Sequence, residues 1–272
     1  MDRPVLVTGA SSGIGLATAL ELARRGFRSI GSVRGEAKAD AVREAALEAN
    51  VEVETVQLDV TDAAGCKRVV REAGPLYGLV NNAGYAGTAA IEDVSDEEAR
   101  RMFETMVLAP ARLARLALPG MRERGGGRIV NVSSIFGRTT TPLSGWYQAC
   151  KHALEGISDA LRVEVAGDGI QVVLIEPGGI RTGLWDEVEE LPETHAGSRY
   201  AAAYQRSAST TRFARPLMRE PSSVARTIAR ALEARFPRAR YLVGPDAQAL
   251  AWVEQLTPTA LKDRISRLML RL

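Results

Sequence analysis

The chain has 272 residues, of which 46% are hydrophobic and 25% are charged. This length and composition predict one α/β domain with a sizeable core, although two domains remain possible on length alone. Lysine and arginine total 35 against 33 aspartate and glutamate, a net charge of +2, which gives no basic footprint for nucleic acid and leaves small molecules as the expected partners.

The cysteine, histidine and hydropathy patterns indicate a cytoplasmic protein without a metal site. Cys66 and Cys150 lie far apart and lack metal-ligand spacing, which is typical of free thiols in a reducing compartment. With only His152 and His195, a histidine-based metal site is not expected. The chain reaches an apolar strand pattern too early for a secretory signal. No apolar run approaches the roughly 18 residues of a membrane span.

Short β-rich runs alternate with longer segments of 3.6-residue apolar periodicity, which predicts βαβ units and a mostly parallel sheet. Strands are predicted at residues 4–9, 29–33, 53–59, 78–84, 127–134, 170–178 and 240–244. Helices are predicted at residues 14–25, 38–48, 63–73, 96–122, 147–166 and 222–235. Seven strands in one sheet with helices on both faces correspond to a Rossmann-type doubly wound fold.

Two segments depart from this alternation. Residues 183–221 are too long for a plain connection in a compact domain, so they form either a functional lid or a poorly ordered segment. Residues 247–272 have the pattern of one or two further helices. The last of these carries an apolar stripe, which we expect to pack on the body of the protein or on a second subunit, with a membrane surface as the alternative. The stripe consists of Leu261, Ile265, Leu268, Met269 and Leu272.

The first strand leads into the sequence TGASSGIG at residues 8–15, and a helical pattern follows at once. Glycines at positions 9, 13 and 15 let the backbone turn sharply and approach a ligand closely. The helix N-terminus directs free N–H groups at that ligand. This arrangement predicts a pyrophosphate-binding turn, with a purely structural glycine turn as the alternative.

Three further motifs follow in order: NNAG at residues 81–84, YQACK at 147–151 and PGGIRT at 177–182. Together with the G-x-x-x-G-x-G spacing, they resemble the short-chain dehydrogenase/reductase family over about residues 4–182. The ALEG and LRVE sequences after Lys151 resemble its hydroxysteroid and retinol dehydrogenase branch. The resemblance implies an oxidoreductase that uses a nicotinamide cofactor to interconvert an alcohol and a carbonyl.

The resemblance also implies which residues contact the cofactor. Asp59 and Val60 would lie beside the adenine, and Ile180 and Thr182 would orient the nicotinamide carboxamide. Alternatively, Asp59 caps the following helix, and Pro177 and Gly178 only end a strand. The remaining expected contacts are Gly9, Ser11, Ser12, Gly13, Ile14, Gly15, Asn82, Ala83, Gly84, Tyr147 and Lys151.

The residue after the second strand distinguishes the two nicotinamide cofactors. An acidic side chain there would accept hydrogen bonds from the adenosine ribose, and an arginine would pair with the 2′-phosphate of NADP. The sequence is GSVRGE, with Val33 where NAD-dependent family members tend to carry aspartate, and Arg34 next. We therefore expect a preference for NADP(H) over NAD(H). The alternative is that Arg34 is a solvated loop residue.

Tyr147 and Lys151 are four residues apart, so they share one face of the predicted helix. An ammonium about 4 Å from a phenolate contributes roughly 4 kcal/mol at an effective dielectric near 20. That energy corresponds to about 3 pKa units and would bring the pKa of a tyrosine from about 10 toward 7, although desolvation opposes part of it. By resemblance, Tyr147 is the acid/base, Lys151 its electrostatic partner and ribose contact, and Ser134 the donor to the substrate oxygen.

One position departs from the family pattern. The family usually carries an asparagine in the helix that begins near Asp96, and counting back from Pro119 places Met106 at that position. The asparagine helps to hold a water that links the lysine to solvent, and a thioether is a poor substitute. Either the backbone carbonyl at Met106 holds this water, or the proton relay is slower.

The expected substrate is lipophilic, of the steroid, retinoid or fatty alcohol and aldehyde type. The residues expected around the carbonyl are mostly apolar, although they could equally be core residues. They are Phe136, Pro142, Leu143, Trp146, Leu184, Trp185, Leu191, Tyr200 and Tyr204. Alternative functions are a catalytically weak NADP-binding sensor and an epimerase or dehydratase of the same family. The resemblance also implies a homodimer or homotetramer.

Overall fold

A computed structural model describes residues 3–270. Its single sheet has seven parallel strands in the order β3-β2-β1-β4-β5-β6-β7. The strands are β1 (Pro4–Val7), β2 (Arg28–Val33), β3 (Glu54–Gln57), β4 (Gly78–Asn81), β5 (Gly127–Val132), β6 (Ile170–Pro177) and β7 (Arg240–Val243). The predicted doubly wound α/β fold is confirmed.

Helices connect the strands and cover both faces of the sheet. Within residues 3–270 the α-helices are α1 (Gly13–Arg24), α2 (Glu36–Glu48), α3 (Ala63–Ala73), α4 (Asp96–Phe103), α5 (Ala109–Glu123), α6 (Gly145–Glu164), α7 (Leu184–Thr194), α8 (Ala201–Ala214), α9 (Pro221–Glu233), α10 (Pro245–Leu256) and α11 (Thr259–Leu270). None of the helices in this part of the chain combines the length and the apolar composition that crossing a bilayer requires.

The core consists of two apolar clusters, one on each face of the sheet. In β1, Val5 and Val7 belong to the cluster under α1, α2 and α9, whereas Leu6 belongs to the cluster under α3 and α5. All four residues of this strand are buried, because a central parallel strand is covered by helices on both sides. This burial explains why the sequences of the central strands are continuous apolar runs.

The helix predicted over residues 96–122 is interrupted by a π-helical turn, Glu104–Leu108, between α4 and α5. Pro110 lies at the start of α5. Proline has no backbone N–H, so the α-helical hydrogen bond that residue 110 would donate to the carbonyl of Met106 cannot form. The interruption therefore falls where the chain lacks a donor.

The segment at residues 183–221 contains the helical pair α7 and α8, which we call the lid; its action as a substrate lid stays a prediction. Tyr204, on α8, is fully buried. Its hydroxyl donates to Asp93 Oδ2 at 2.6 Å and accepts from the N–H of Ala90 at 2.8 Å. Ser198 donates to the same carboxylate at 2.6 Å. These bonds tie the lid to the segment that follows β4.

The apolar stripe of α11 does not pack on the body of the protein. Leu261, Ile265, Leu268 and Met269 are between 46% and 79% exposed, and Leu272 lies outside the described residues. The expectation of packing within the chain is wrong for these four side chains, because α11 lies at the rim, where Leu270 reaches the apolar cluster beneath the lid. Contact with a second subunit stays a prediction.

Candidate active site

The C-terminal ends of the strands open onto a cleft of about 1890 Å³. It lies where the strand order reverses between β1 and β4, the usual position of a ligand in an open parallel sheet. All the predicted catalytic and cofactor residues line this cleft, with the exception of Gly15. The loops at the ends of β1, β2, β3, β4, β5 and β6 and the first two turns of α1 and α6 contribute them.

The turn after β1 depends on glycine at three positions. Gly9 and Gly13 have φ angles of +67° and +53°, a left-handed conformation that other residues rarely adopt. Gly15 lies beneath the turn: a Cβ added there would be 2.1 Å from the carbonyl oxygen of Gly9 and 2.6 Å from Nδ2 of Asn82. Gly15 therefore supports the turn by close packing and does not line the cleft.

The N-terminus of α1 offers its first-turn N–H groups to the cleft. The N-cap residue, Ser12, makes no side-chain capping hydrogen bond, and the first turn contains no acidic residue. Ser11, Ser12, Gly13 and Ile14 all line the cleft. Uncapped N–H groups together with the positive end of the helix dipole fit the pyrophosphate of a dinucleotide.

The NNAG segment is joined to the glycine turn through Thr8. The Thr8 hydroxyl accepts from the N–H groups of Asn82 and Ala83 at 2.9 and 3.0 Å. The Asn82 amide donates back to the carbonyl oxygens of Thr8 and Gly9 at 2.9 and 3.3 Å. Thr8 was not among the predicted site residues, and its position directly before Gly9 was the available signal.

The adenosine end of the cleft is lined by Asp59, Val60, Arg34 and Lys38. Asp59 Oδ1 accepts from the N–H and hydroxyl of Thr61 at 2.9 and 2.7 Å, and these bonds hold the pKa of Asp59 below its usual range. The cap of α3 is Asp62, which accepts from the N–H of Ala64, so Asp59 is not that cap. Arg34 and Lys38 are both exposed, and Lys38 was not predicted.

The predicted catalytic side chains meet at the ends of β5 and α6. Ser134 follows β5, and its hydroxyl faces the phenol of Tyr147 in the first turn of α6 and lowers the pKa of that phenol. Lys151 is buried one turn later, and its Nζ donates to the carbonyl of Val132 at 2.9 Å. The same Nζ lies 5.5 Å from the centroid of the Tyr147 ring. The structure thus brings all three together.

Burial shifts the pKa values of the tyrosine and the lysine away from each other. Desolvation raises the pKa of Tyr147 to about 12, against a smaller lowering by the hydrogen bond from Ser134. Desolvation also lowers the pKa of Lys151 to about 8. The expected lowering of the Tyr147 pKa toward 7 is absent in the chain alone, because burial outweighs the ammonium and Nζ is directed at Val132.

Met106 lies in the π-helical turn and is buried. Its thioether faces Gly84, where a Cβ would lie 3.4 Å from Sδ. Met102 and Cys150 complete this apolar cluster, against which Tyr147 packs. The side chain at position 106 is thus a packing residue beside the catalytic helix.

The predicted substrate-facing residues divide into two groups. Phe136, Pro142, Leu184 and Trp185 line the cleft. The other five do not, and three of them are buried in the cluster beneath the lid, namely Leu143, Leu191 and Tyr204. Apolar residues that were not predicted complete the wall: Leu217, Met218, Leu250, Met269 and Leu270.

A family model described as short chain dehydrogenase matches residues 3–192. This match covers more than half of the chain and includes all four motifs. The chain belongs to the short-chain dehydrogenase family.

Relatives of known description span nearly the whole chain. The "Uncharacterized oxidoreductase YbbO" of Escherichia coli is 32% identical over 97% of this chain and 94% of its own length. The "NADPH-dependent 3-dehydrocapnine reductase" of Ornithobacterium rhinotracheale is 31% identical over 97% and 95%. Human "Retinol dehydrogenase 5" is 31% identical over 96% and 86%. The chain is therefore similar to retinol dehydrogenases as well as to reductases.

One of the similar solved structures superimposes closely. A variant of actinorhodin polyketide ketoreductase, determined with NADPH, is 30% identical and has a TM-score of 0.78 over 92% of this chain and 97% of its own. The short-chain dehydrogenase is therefore similar in fold and in sequence to a structure that contains a nicotinamide cofactor.

Proposed function

We propose that this short-chain dehydrogenase is an NADP(H)-dependent oxidoreductase that interconverts an alcohol and a carbonyl. The observation that carries the proposal is that Ser134, Tyr147 and Lys151 line the same cleft beside the glycine turn, with Lys151 one helical turn after Tyr147 on α6. The cofactor supplies or accepts the hydride. The protein must supply the matching proton at the substrate oxygen.

Each of the three side chains has a distinct task in this proposal. Tyr147 donates its phenolic proton to the carbonyl oxygen during reduction and accepts it during oxidation. Ser134 donates a hydrogen bond to the same oxygen and stabilises the charge that develops there. Lys151, as an ammonium, holds the ribose hydroxyls and favours the ionised form of Tyr147 when its Nζ turns from the Val132 carbonyl.

The experiment that tests the proposal is turnover of a panel of ketones and aldehydes with NADPH, followed by nicotinamide absorbance. Turnover that requires Tyr147 supports the oxidoreductase. Met106, in place of the family asparagine, is the observation that favours the second candidate, a non-catalytic NADP-binding sensor. Tight NADPH binding without turnover on any member of the panel would support the sensor.

NADPH is the proposed cofactor because of Arg34 and Lys38. Both side chains are exposed at the adenosine end of the cleft, and Val33 supplies no carboxylate that would repel a phosphate. One of the similar proteins is described as NADPH-dependent, and another was determined with NADPH. A cation pair next to the ribose would recognise its 2′-phosphate.

Replacing Arg34 with serine is expected to lower kcat/KM for NADPH about ten- to a hundredfold, since one charge-assisted hydrogen bond is lost. The value for NADH should stay within about threefold. Arg43→Ser is the matched control, because Arg43 is exposed on α2 but already paired with Glu36 and Asp40. Equal losses with both cofactors would contradict the role of Arg34 in phosphate recognition.

The affinity for NADPH is expected to fall above a pH of about 8. The pKa of Lys151 is lowered to about 8, so its ammonium is present below that pH and lost above it. The Kd should change little below about pH 7, be about twofold higher near pH 8 and rise further with pH above 8. Fluorescence titration of NADPH measures it, and Lys151→Met should remove the rise. A Kd that is constant to pH 9.5 in the wild type would refute this account.

The proposed substrate is lipophilic. The lid and α11 contribute apolar side chains to the cleft. Steroid, retinoid and fatty alcohol or aldehyde substrates are therefore the first to test. A higher kcat/KM for short polar carbonyls than for long-chain ones would overturn this assignment.

We also propose a cytoplasmic homodimer or homotetramer. Cys66 and Cys150 are free and buried, which suits a reducing compartment. Leu108, the last residue of the π-helical turn, and Val163 on α6 are 51% and 73% exposed, and a second subunit would cover them. Analytical ultracentrifugation tests the assembly, and a monomer at micromolar concentration would contradict it.

A further inference from the structure

Glu176, the residue before Pro177 in β6, is a fully buried carboxylate. It has no part in the cofactor contacts or in proton transfer as described above. Arg138 Nε lies 2.8 Å from its Oε2, and Arg240 Nε lies 3.1 Å from its Oε1. Burial and the neighbouring Glu155 raise the pKa of Glu176, and the two arginines oppose that rise, because a buried carboxylate is strongly unfavourable unless it is paired.

The ion pairs extend from Glu176 to α6. Arg240 Nη2 lies 3.1 Å from Glu155 Oε2 and 2.7 Å from Asp159 Oδ2. Arg162 pairs with the other oxygen of Asp159 at 2.5 Å. Three arginines thus balance three carboxylates. We call this set the Glu176 network; its members are Arg138, Glu155, Asp159, Arg162, Glu176 and Arg240.

Each arm of the Glu176 network leads to a different part of the catalytic site. Arg138 directly follows the 3₁₀ turn Ile135–Gly137, which begins after Ser134. Glu155 lies one helical turn after Lys151 on α6. Glu176 itself precedes the turn that starts at Pro177. The three segments that carry the serine, the tyrosine and lysine, and the nicotinamide turn therefore converge on one carboxylate.

The turn after Ser134 is held tightly against α6. A Cβ added at Gly137 would lie 2.7 Å from Ser133 Oγ and 3.0 Å from Glu155 Cγ. Ser134 itself accepts a hydrogen bond from the N–H of Phe136 at 3.2 Å. The position of the Ser134 hydroxyl relative to Tyr147 is therefore set by how closely this turn and α6 approach each other.

We infer that Glu176 is a positioning residue that holds the Ser134 turn in register with Tyr147 and Lys151. It fixes Arg138 on one side and, through Arg240, Glu155 on the other. The inference rests on the proposed function, because the register matters for proton transfer to a carbonyl oxygen. A misplacement of about 1 Å at such a site can cost about a hundredfold in rate.

The test compares Glu176→Gln, Arg138→Gln and the double variant. Each single variant is expected to lower kcat about ten- to a hundredfold, with the KM and the Kd for NADPH within about threefold. The double variant should be no slower than the worse single one, because both changes break the same ion pair. Arg138→Lys keeps the positive charge and should recover most of kcat.

A second readout does not depend on turnover. Amide hydrogen exchange of the peptide that covers residues 133–139 should become faster in Glu176→Gln and Arg138→Gln, while peptides from β1 and α1 keep their protection. Arg138 is 30% exposed, so its variant should fold even if Glu176→Gln does not. Hydrogen exchange therefore tests the inference even if the wild type turns over none of the carbonyls. That lack of turnover would count only against the proposed function.

Glu233→Gln is the matched control. Glu233 pairs with Arg25 at 2.6 Å between the ends of α9 and α1, beside the N-terminal end of β1 and away from the cleft. This variant should change neither kcat nor exchange at residues 133–139. Unchanged kcat and unchanged exchange in a folded Arg138→Gln variant would overturn the positioning role, as would additive losses in the double variant.

Discussion

Replacing Tyr147 with phenylalanine is expected to lower kcat for carbonyl reduction at least about a hundredfold, since general acid catalysis contributes about 10²–10⁴. The variant keeps the ring that packs against Phe136 and the cluster around Met106. The Kd for NADPH should therefore stay within about threefold. Stopped-flow or steady-state kinetics with NADPH, together with a fluorescence titration, measure the two quantities on the same preparation.

The expected loss of kcat is specific to the Tyr147 hydroxyl. In the wild type the phenol faces the Ser134 hydroxyl, and burial raises the pKa of the phenol to about 12, so the group is protonated and able to donate across the physiological range. Tyr77→Phe is the control: its hydroxyl donates to the carbonyl of Leu232 at 2.8 Å, far from the cleft. That change should cost about 1 kcal/mol of stability and leave kcat unaltered. A Tyr147→Phe variant with more than a tenth of wild-type kcat would remove Tyr147 from the mechanism.

The second large effect is expected at Gly15. In Gly15→Ala the new methyl group would lie 2.1 Å from the carbonyl oxygen of Gly9 and 2.6 Å from Asn82 Nδ2. Backbone atoms form this contact, so α1 and the glycine turn must separate. Overpacking of this kind costs about 1–3 kcal/mol. Because the turn and the helix N-terminus both face the cleft, the affinity for NADPH should fall about a hundredfold, since a misplaced binding group costs about that much.

Gly156→Ala is the matched control for this change. Gly156 is exposed on α6, and no heavy atom lies within 4 Å of where its Cβ would be. Alanine is favoured over glycine in a helix by about 1 kcal/mol, so the control should be neutral or slightly stabilising. Thermal unfolding and NADPH titration distinguish the two variants. If Gly15→Ala bound NADPH as the wild type does, the close packing at the turn would not be required for the cofactor.

The fold and the motif-bearing part of the site follow from local sequence patterns. Strand positions agree within two residues at each end except at the C-terminal end of β4, because a buried parallel strand is a short apolar run. The residues of the glycine turn, Ser134, Tyr147 and Lys151 come together because their spacing places them at the same edge of the sheet. In the lid region, the sequence pattern indicated only a departure from the alternation of strands and helices, and it did not predict α7 or α8.

Other features depend on contacts between distant residues and have no local signal. The Glu176 network joins residues from β6, β7, α6 and the turn after Ser134. Asp93 and Tyr204, whose hydrogen bond ties the lid down, are 111 residues apart. The pKa of Tyr147 was misjudged because spacing gives the distance to Lys151 but not the depth of burial. Leu143 and Leu191 were expected at the substrate for the same reason, since apolar composition alone does not separate a cavity wall from a core.

The π-helical turn affects which residues are acceptable at position 106, where the family usually has an asparagine. A side-chain acceptor is lost by a single substitution, whereas a backbone carbonyl is present whatever residue occupies position 106. Here Pro110 keeps that carbonyl free of an α-helical partner. In the proposed enzyme, position 106 can therefore be selected for volume, and Met106 fills the space beside Gly84 and Cys150. In the proposed enzyme, the availability of this oxygen would depend on the missing N–H of Pro110, four residues further along the chain, and not on the side chain at position 106.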